Sequence, residues 1–297
     1  MSYRIFVNAT LDLNQAMLDD CSSVVIIPFQ VQIGQELYTY GPNGNLSIYE
    51  FYNAQCSGEV FKLLPIDMSV YYEIFDKWLS QENDILYLMS SSFMLPETIL
   101  KLEQSLEELR KKYKERKIVC IDTFGISIGE GLLVWEAVKK QTEGMDIEAL
   151  AQWVQNDRLK VCQWFAINTL EHLVQDEVEM PFLKEIENLF RVNPLLGVDE
   201  AGKLILSEKL NGSPKTMYSM FSRLERGWKP ELGNKIIIGY ADCKEYAENL
   251  QKSLSYEWCI ADIVIAELGP AIGIYTGSES LAIAYWGSNR LDDKKRR

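Results

Sequence analysis

A single histidine, His172, stands in the 297-residue sequence. A Ser-His-Asp triad would have to run through it, and a metal site built from several histidines is excluded. Its setting, LEHLV, places Leu170 and Leu173 on either side, a spacing that puts the ring at the surface or edge of a helical turn. The six cysteines, Cys21, Cys56, Cys120, Cys162, Cys243 and Cys259, fall singly. No pair has the CxxC spacing of a zinc or redox site. Cys120 lies inside an apolar run and reads as an inert buried thiol. Triad hydrolysis and metal-assisted catalysis therefore lack their residues, and neither a cofactor nor a catalytic residue is expected.

Two strand ends could still do chemistry by binding. Asp122 to Gly131 (DTFGISIGEG) follows a strand-like run and carries Gly125, Gly129 and Gly131. That spacing matches neither the dinucleotide fingerprint nor the phosphate loop, and no lysine follows it. Its glycines serve equally well for a tight crossover and close helix packing. At the other strand end, Ser90-Ser91-Ser92 runs into Phe93-Met94-Leu95-Pro96. Hydroxyls beside a helix N-terminus form a neutral cradle for a small anion such as a carboxylate. The bulky apolar residues next to them would suit the apolar part of an amphiphile, although serine turns before helices also serve as plain caps.

The elements that must position these groups alternate in type. Tyr3-Val7, Val24-Ile33, Asp84-Met89 and Lys117-Ile121 read as buried strands, and 69–81 and 96–116 as amphipathic helices. Strand and helix in turn predict an α/β fold with a mostly parallel sheet flanked by helices. Helices follow at 129–141 and 146–161. Beyond 163–173 and 180–190 the sequence gives a hairpin at Gly197-Lys209 and a helix at 215–226. A strand at Lys235-Tyr240 then leads to a helix capped by Asp242, a strand at Trp258-Ala266 and one more at Ile272-Tyr275. These elements predict two domains, 1–160 and 161–297, the second an α+β domain with a mixed sheet.

Composition narrows the partners. The net charge is −13, with 47% hydrophobic and 25% charged residues, the balance of an ordinary globular chain. Such a charge repels phosphate backbones and anionic membranes, so neither nucleic acid nor a membrane surface is expected as a partner. Only Lys294-Arg297 is strongly basic, and it reads as a solvated tail. The longest apolar run, Val24-Phe29, is far short of the about 20 residues of a membrane span. The opening MSYRIFVN has no signal-peptide pattern, and a reducing cytoplasm is the expected compartment.

Taken in order, these pieces resemble the DegV family of fatty-acid-binding proteins. Val7-Asn8-Ala9-Thr10-Leu11-Asp12-Leu13 is similar to that family's opening T-D-S-x-x-D-L, and Ile26-Ile27-Pro28-Phe29-Gln30-Val31 to its V-P-L-x-V strand. Ser90-Ser91-Ser92-Phe93 resembles S-S-x-L, and Asp122-Thr123 with Ser127, Gly129 and Gly131 resembles D-S-x-x-x-S-x-G-x-G. Asn168-Thr169-Leu170 with Leu173 follows D-T-L-x-x-L, Asn193-Pro194-Leu195-Leu196 follows K-P-I-L, and Leu268-Gly269-Pro270 the middle of H-V-G-P-G. The resemblance runs from Tyr3 to about Gly287. It implies two α/β domains, a long-chain fatty acid whose carboxylate sits at the cleft between them, and an acyl tail buried in the interior.

The departures bear on mechanism. Lys62-Leu63-Leu64-Pro65 stands where the family has T-S-Q-P, and Met94-Leu95-Pro96 where it has S-G-T. Asp176-Glu177-Val178 replaces G-G-R, Asn211 an arginine, and Glu267 a histidine. The groups that would steady a phosphoryl are largely replaced, and Glu177 and Glu267 would repel one. The head group is assigned to Ser91, Ser92, Lys62 and Asn168; Lys62 has a solvated surface charge as its rival reading, and the other three have capping roles as theirs. Phe93, Met94, Leu95, Ile126 and Ile128 are assigned to the acyl wall, with plain core packing as the rival. The expected function is lipid binding without chemistry of its own. Presentation of the lipid to a fatty-acid kinase, or binding of a different small amphiphile, are the alternatives.

Overall fold

The computed structural model describes residues 3–64, 67–92, 96–168, 192–258 and 262–290. The chain runs through β1 (Tyr3–Asn8), α1 (Gln15–Asp20), β2 (Val25–Ile27), β3 (Phe29–Ile33), β4 (Glu36–Tyr40), α2 (Ile48–Cys56) and β5 (Phe61–Leu64). It continues through α3 (Met68–Leu79), β6 (Asp84–Met89), α4 (Pro96–Lys112), β7 (Ile118–Asp122), α5 (Ser127–Thr142) and α6 (Ile147–Asp157). Beyond a 3-10 turn at Arg158–Lys160 come β8 (Val161–Ala166), β9 (Asn193–Val198), β10 (Leu204–Leu210), α7 (Ser213–Gly227) and β11 (Ile236–Tyr240). Then follow α8 (Lys244–Trp258), β12 (Ile263–Glu267), α9 (Pro270–Thr276) and β13 (Leu281–Trp286).

The first sheet is parallel throughout, in the order β2-β1-β6-β7. Its strands alternate between two apolar faces, as the two-residue period of a strand requires. Phe6, Ile85 and Tyr87 face α3 and α4, packing on Tyr71, Phe75 and Leu106. Ile5, Val7, Leu86 and Leu88 point the other way, into the core that holds α5 and α6. A parallel sheet covered on both faces was the expectation from the alternating elements, and it holds. A small antiparallel sheet, β4-β3-β5, sits beside it.

The second sheet takes all its strands after residue 160, in the order β10-β9-β8-β13-β11-β12. It is mixed: β11 and β12 are parallel and every other pair is antiparallel. Its Val161, Phe165, Ile237 and Ala284 join the core of the first sheet through α5. Trp164, Ile238, Ile283 and Tyr285 face a separate core under α7 and α8. The α5–α6 layer is thus shared between two sheets, and Leu132, Leu133, Val134, Ala137 and Val138 of α5 are all buried.

Several elements differ from the sequence reading. The strand expected over Val24-Ile33 breaks at Pro28, which cannot donate to a ladder. β2 ends there in the parallel sheet and β3 begins the antiparallel one. Ile272-Tyr275, expected as a strand, lies inside the helix α9; four apolar residues cannot by themselves separate a buried helix from a strand. Trp258 ends α8, and the strand expected from it begins only at Ile263. That helix starts at Lys244, so Asp242, at φ +52°, precedes it by two residues and is not its cap. The hairpin, by contrast, stands as read: β9 and β10 pair around Asp199–Gly202. The segment 180–190 and His172 lie outside the described residues. Among the described residues no helix is long and apolar enough to cross a membrane.

Close approach of α5 to the loop after β1 depends on Gly131. A Cβ there would stand 2.7 Å from the backbone oxygen of Asp12 and 2.6 Å from Leu13. Alanine in a helix interior normally gains about 1 kcal/mol over glycine, whereas overpacking a rigid contact costs about 1–3 kcal/mol. Gly131→Ala is therefore expected to lower the denaturant midpoint. A variant more stable than the parent would show that this approach is loose.

Candidate functional site

The loops after β1, β6 and β7 all leave the same, C-terminal edge of the parallel sheet, where ligands of open α/β sheets bind. They meet the N-terminus of α5 and two loops of the second half. A buried polar cluster results, formed by Thr10, Asp12, Ser90, Ser91, Thr123, Ser127 and Glu130. Phe124 (φ +50°) and Ser127 (φ +55°) hold left-handed backbone in the β7–α5 connection, and this turns Ser127 toward the loop after β1.

Two carboxyl groups lie at the centre. Ser127 Oγ donates to Asp12 Oδ2 at 2.5 Å, and the Gly269 amide donates to Asp12 Oδ1 at 2.9 Å. Residues from β1's loop, α5 and the β12–α9 turn are tied together at one side chain. Burial pushes the Asp12 carboxyl up to about 7, against the lowering effect of these two donors, and the charge of Glu267 adds to the rise. Thr10 Oγ1 donates to Glu130 Oε2 at 3.1 Å. Glu130 is fully buried, and that burial holds its carboxyl well above the usual range. Nearby, the buried amide of Gln163 lies against Gly129 and makes no hydrogen bond among the described residues.

The residues assigned from sequence fall in three places. Ser91 and Ser92 are at the seam between the halves. Ser91 Oγ donates 2.7 Å to the Gly202 carbonyl of the β9–β10 turn, and Gly202 (φ +77°) has no room for a Cβ beside it. The Ser92 amide donates to Asp122 Oδ2 at 3.1 Å. Ile126 and Ile128 are buried in the shared core beside this edge, and Ile128 reaches toward Gly239 of β11. Asn168 lies at the end of β8, donating to Glu279 at 2.7 Å and accepting from Ser213 at 2.9 Å. It lines a cavity of about 320 Å³ with Met217, Cys243 and Tyr246. Lys62 is exposed on the outer sheet, opposite Gln32. No hydrogen bond among the described residues joins Lys62, Ser92 and Asn168 to one another. Phe93, Met94 and Leu95 lie outside the described residues.

Sequence reasoning passed over Thr10, Glu130, Gln163 and Arg290. An acid in a helix's first turn ordinarily reads as a complement to the dipole, and nothing local marks Glu130 as buried. Arg290 is 3% exposed and donates to four backbone carbonyls, those of Phe124, Arg158, Val161 and Asp199. Such a clip between distant segments has no local signature.

Residues 2–287 match the family model described as "Uncharacterised protein, DegV family". A DegV domain-containing protein of Clostridium perfringens is 28% identical over 96% of this chain and 98% of its own. The crystal structure of a fatty acid binding DegV family protein of Streptococcus agalactiae superimposes with a TM-score of 0.80 at 19% identity, over 97% of this chain and 100% of that one. The structure of a stearic acid-binding protein of Eubacterium ventriosum gives 0.80 at 15% identity, over 98% and 99%. At these identities the structural likeness is one of fold.

The raised carboxyl of Asp12 gives a pH dependence of stability. The folded protein holds this proton more tightly than the unfolded chain, so the contribution is fully present below about 4 and is lost as pH rises toward about 7. A rise from 3.8 to about 7 corresponds to about 4 kcal/mol, as an order of magnitude. Asp12→Asn keeps an acceptor for Gly269 and offers Ser127 a donor. Urea unfolding at about pH 5 and about pH 8 is expected to show the variant losing less stability across this range than the parent. Parallel losses would mean that Asp12 is ionised in the fold throughout.

Proposed function

The chain belongs to the DegV family, and on that premise we propose that it holds one long-chain fatty acid, with the acyl tail in the apolar interior and the carboxylate where the two sheets meet. The observation that carries this reading is the family match over nearly the whole chain, joined to a seam that is polar at one edge and apolar beneath it. Ser91 and Ser92 stand at that edge and Ile126 and Ile128 behind it, the order an amphiphile requires. Ser92 is the proposed head-group donor at that edge, Asn168, beside Asn193 at the other end of β9, and the exposed Lys62 stand apart from it, and Phe93, Met94, Leu95, Ile126 and Ile128 are the proposed acyl wall. The tail supplies most of the affinity: each buried CH₂ contributes about 0.8 kcal/mol, so a sixteen-carbon-class chain binds tightly with a modest head site.

The protein is proposed to act by binding, without catalysis of its own. Presentation of the lipid to a fatty-acid kinase is the finer alternative, and the acids do not favour it. A phosphoryl group placed near residue 267 would meet the carboxylates of Glu267 and Asp12 instead of a base. A cytoplasmic location is part of the same proposal.

Gently purified protein, extracted with organic solvent and analysed by mass spectrometry, is expected to release about one long-chain fatty acid per chain, and the delipidated protein to rebind it on titration. Protein that carries no lipid and binds none contradicts the reading. Release of another amphiphile in stoichiometric amount transfers the site to that ligand.

A further inference from the structure

The face that β8 turns toward α5 carries one polar side chain. By the two-residue period of a strand, Gln163 shares that face with Val161 and Phe165, both buried in the core between the two sheets. Its partner on β13 is Ala284, which pairs in turn with Ile237 of β11, and both belong to the same core. An amide therefore stands where three strands otherwise present apolar groups. Gln163 is 2% exposed, and neither its Oε1 nor its Nε2 makes a hydrogen bond among the described residues. The backbone beside it is engaged elsewhere: β13 pairs with β8 along its whole length, and the Gly129 amide donates to the Ile126 carbonyl at 3.0 Å.

The direction of the amide follows from its contact with α5. A Cβ on Gly129 would stand 2.4 Å from both the amide carbon and Oε1 of Gln163, and 2.8 Å from Nε2. A point so close to all three atoms lies over the face of the amide. Amides hydrogen-bond through the edges of that plane, so the donors and the acceptor point along the seam, past Gly129. The adjoining residue, Ile128, belongs to the proposed acyl wall and reaches toward Gly239 of β11. With the strand order β8-β13-β11, Ile128 and the Gln163 amide lie over one face of the second sheet. They are two strands apart, a separation of about 10 Å.

We infer, resting on the fatty-acid reading above, that the acyl site selects a long-chain acid bearing a hydroxyl on its chain, and that Gln163 reads that hydroxyl. A hydroxyl both donates and accepts, so it meets either edge of the amide whichever way the amide is turned. A plain alkyl chain leaves the buried amide unanswered, which is costly. A site built to hydrogen-bond a hydroxyl also rejects the analogue without it more strongly than an apolar pocket discriminates by size. The head group plays no part in this choice: Ser92 and the loops after β6 and β7 lie at the edge, whereas Gln163 lies in the apolar interior.

Delipidated protein titrated with stearic acid and with a panel of monohydroxystearic acids, the hydroxyl stepping along the chain, tests this. One position, or two adjoining ones, is expected to bind about tenfold tighter than stearic acid, and hydroxyls next to the carboxylate or at the methyl end no tighter than it. In Gln163→Leu the ratio of the two affinities is expected to fall from about ten to about one or below, because leucine removes the hydrogen bond and favours a plain chain. Gln163→Met, unbranched and close in shape, supplies the same ratio if the leucine variant does not fold. No hydroxy acid tighter than stearic acid, an equal gain at every position, or a ratio that survives the substitution would each overturn the assignment of Gln163. Stearic acid bound without any gain from a hydroxyl removes only that assignment. If neither stearic acid nor any hydroxy acid binds, the fatty-acid reading falls and the assignment falls with it.

Discussion

Both sheets are built against one layer of helices, and α5 is its centre. A helix packed on two sides has little surface left for water: ten of the sixteen residues of α5 are buried, and the polar groups among them must find partners inside. Each buried leucine or valine there contributes about 1.5–3 kcal/mol of transfer free energy. The same burial pushes the Glu130 carboxyl well above its usual range and leaves the Gln163 amide facing a glycine. Asp12 extends the constraint: through Ser127 and Gly269 it ties the first sheet's loop, α5 and the second half of the chain at a single carboxyl. Arg290 closes the opposite end of that connection through four carbonyls.

A seam of this kind suits an amphiphile for physical reasons. Its interior is apolar enough to take a chain, and its edge carries hydroxyls, amides and buried carboxyls that hold their protons more tightly than usual. The acid at residue 267 and the raised carboxyl of Asp12 set the polarity of the edge against phosphates. A chain held there would be bound by burial far more than by head-group charge.

Much of this was legible in the sequence. Short continuous apolar runs, such as Asp84–Met89, and long periodic helices, such as Pro96–Lys112, declare themselves in the sequence. The Asp199–Gly202 turn was visible because hairpin turns demand particular residues. What pattern could not supply was environment. Ile272–Tyr275 is apolar in either a strand or a buried helix, and only the neighbouring glycine and Pro270, at the helix start, side with the latter. The β3–β4 hairpin escaped notice because Pro28 divides what reads as one apolar run. Ser91 was rightly placed at a strand edge, but that its hydroxyl donates to Gly202, 111 residues away, is a fact of tertiary structure. Lys62 shows the converse: its charge suggested a head-group contact, while strand alternation turns it outward from Phe61.

The measurement that bears most directly on lipid binding at the seam is a crystal structure of the protein grown with a long-chain fatty acid. One acyl chain per molecule is expected between the two sheets, beside Ile126 and Ile128, with its carboxylate at the edge formed by the loops after β6 and β7. A chain lying on the outer surface, a carboxylate far from that edge, or no bound lipid at saturating concentration would contradict it.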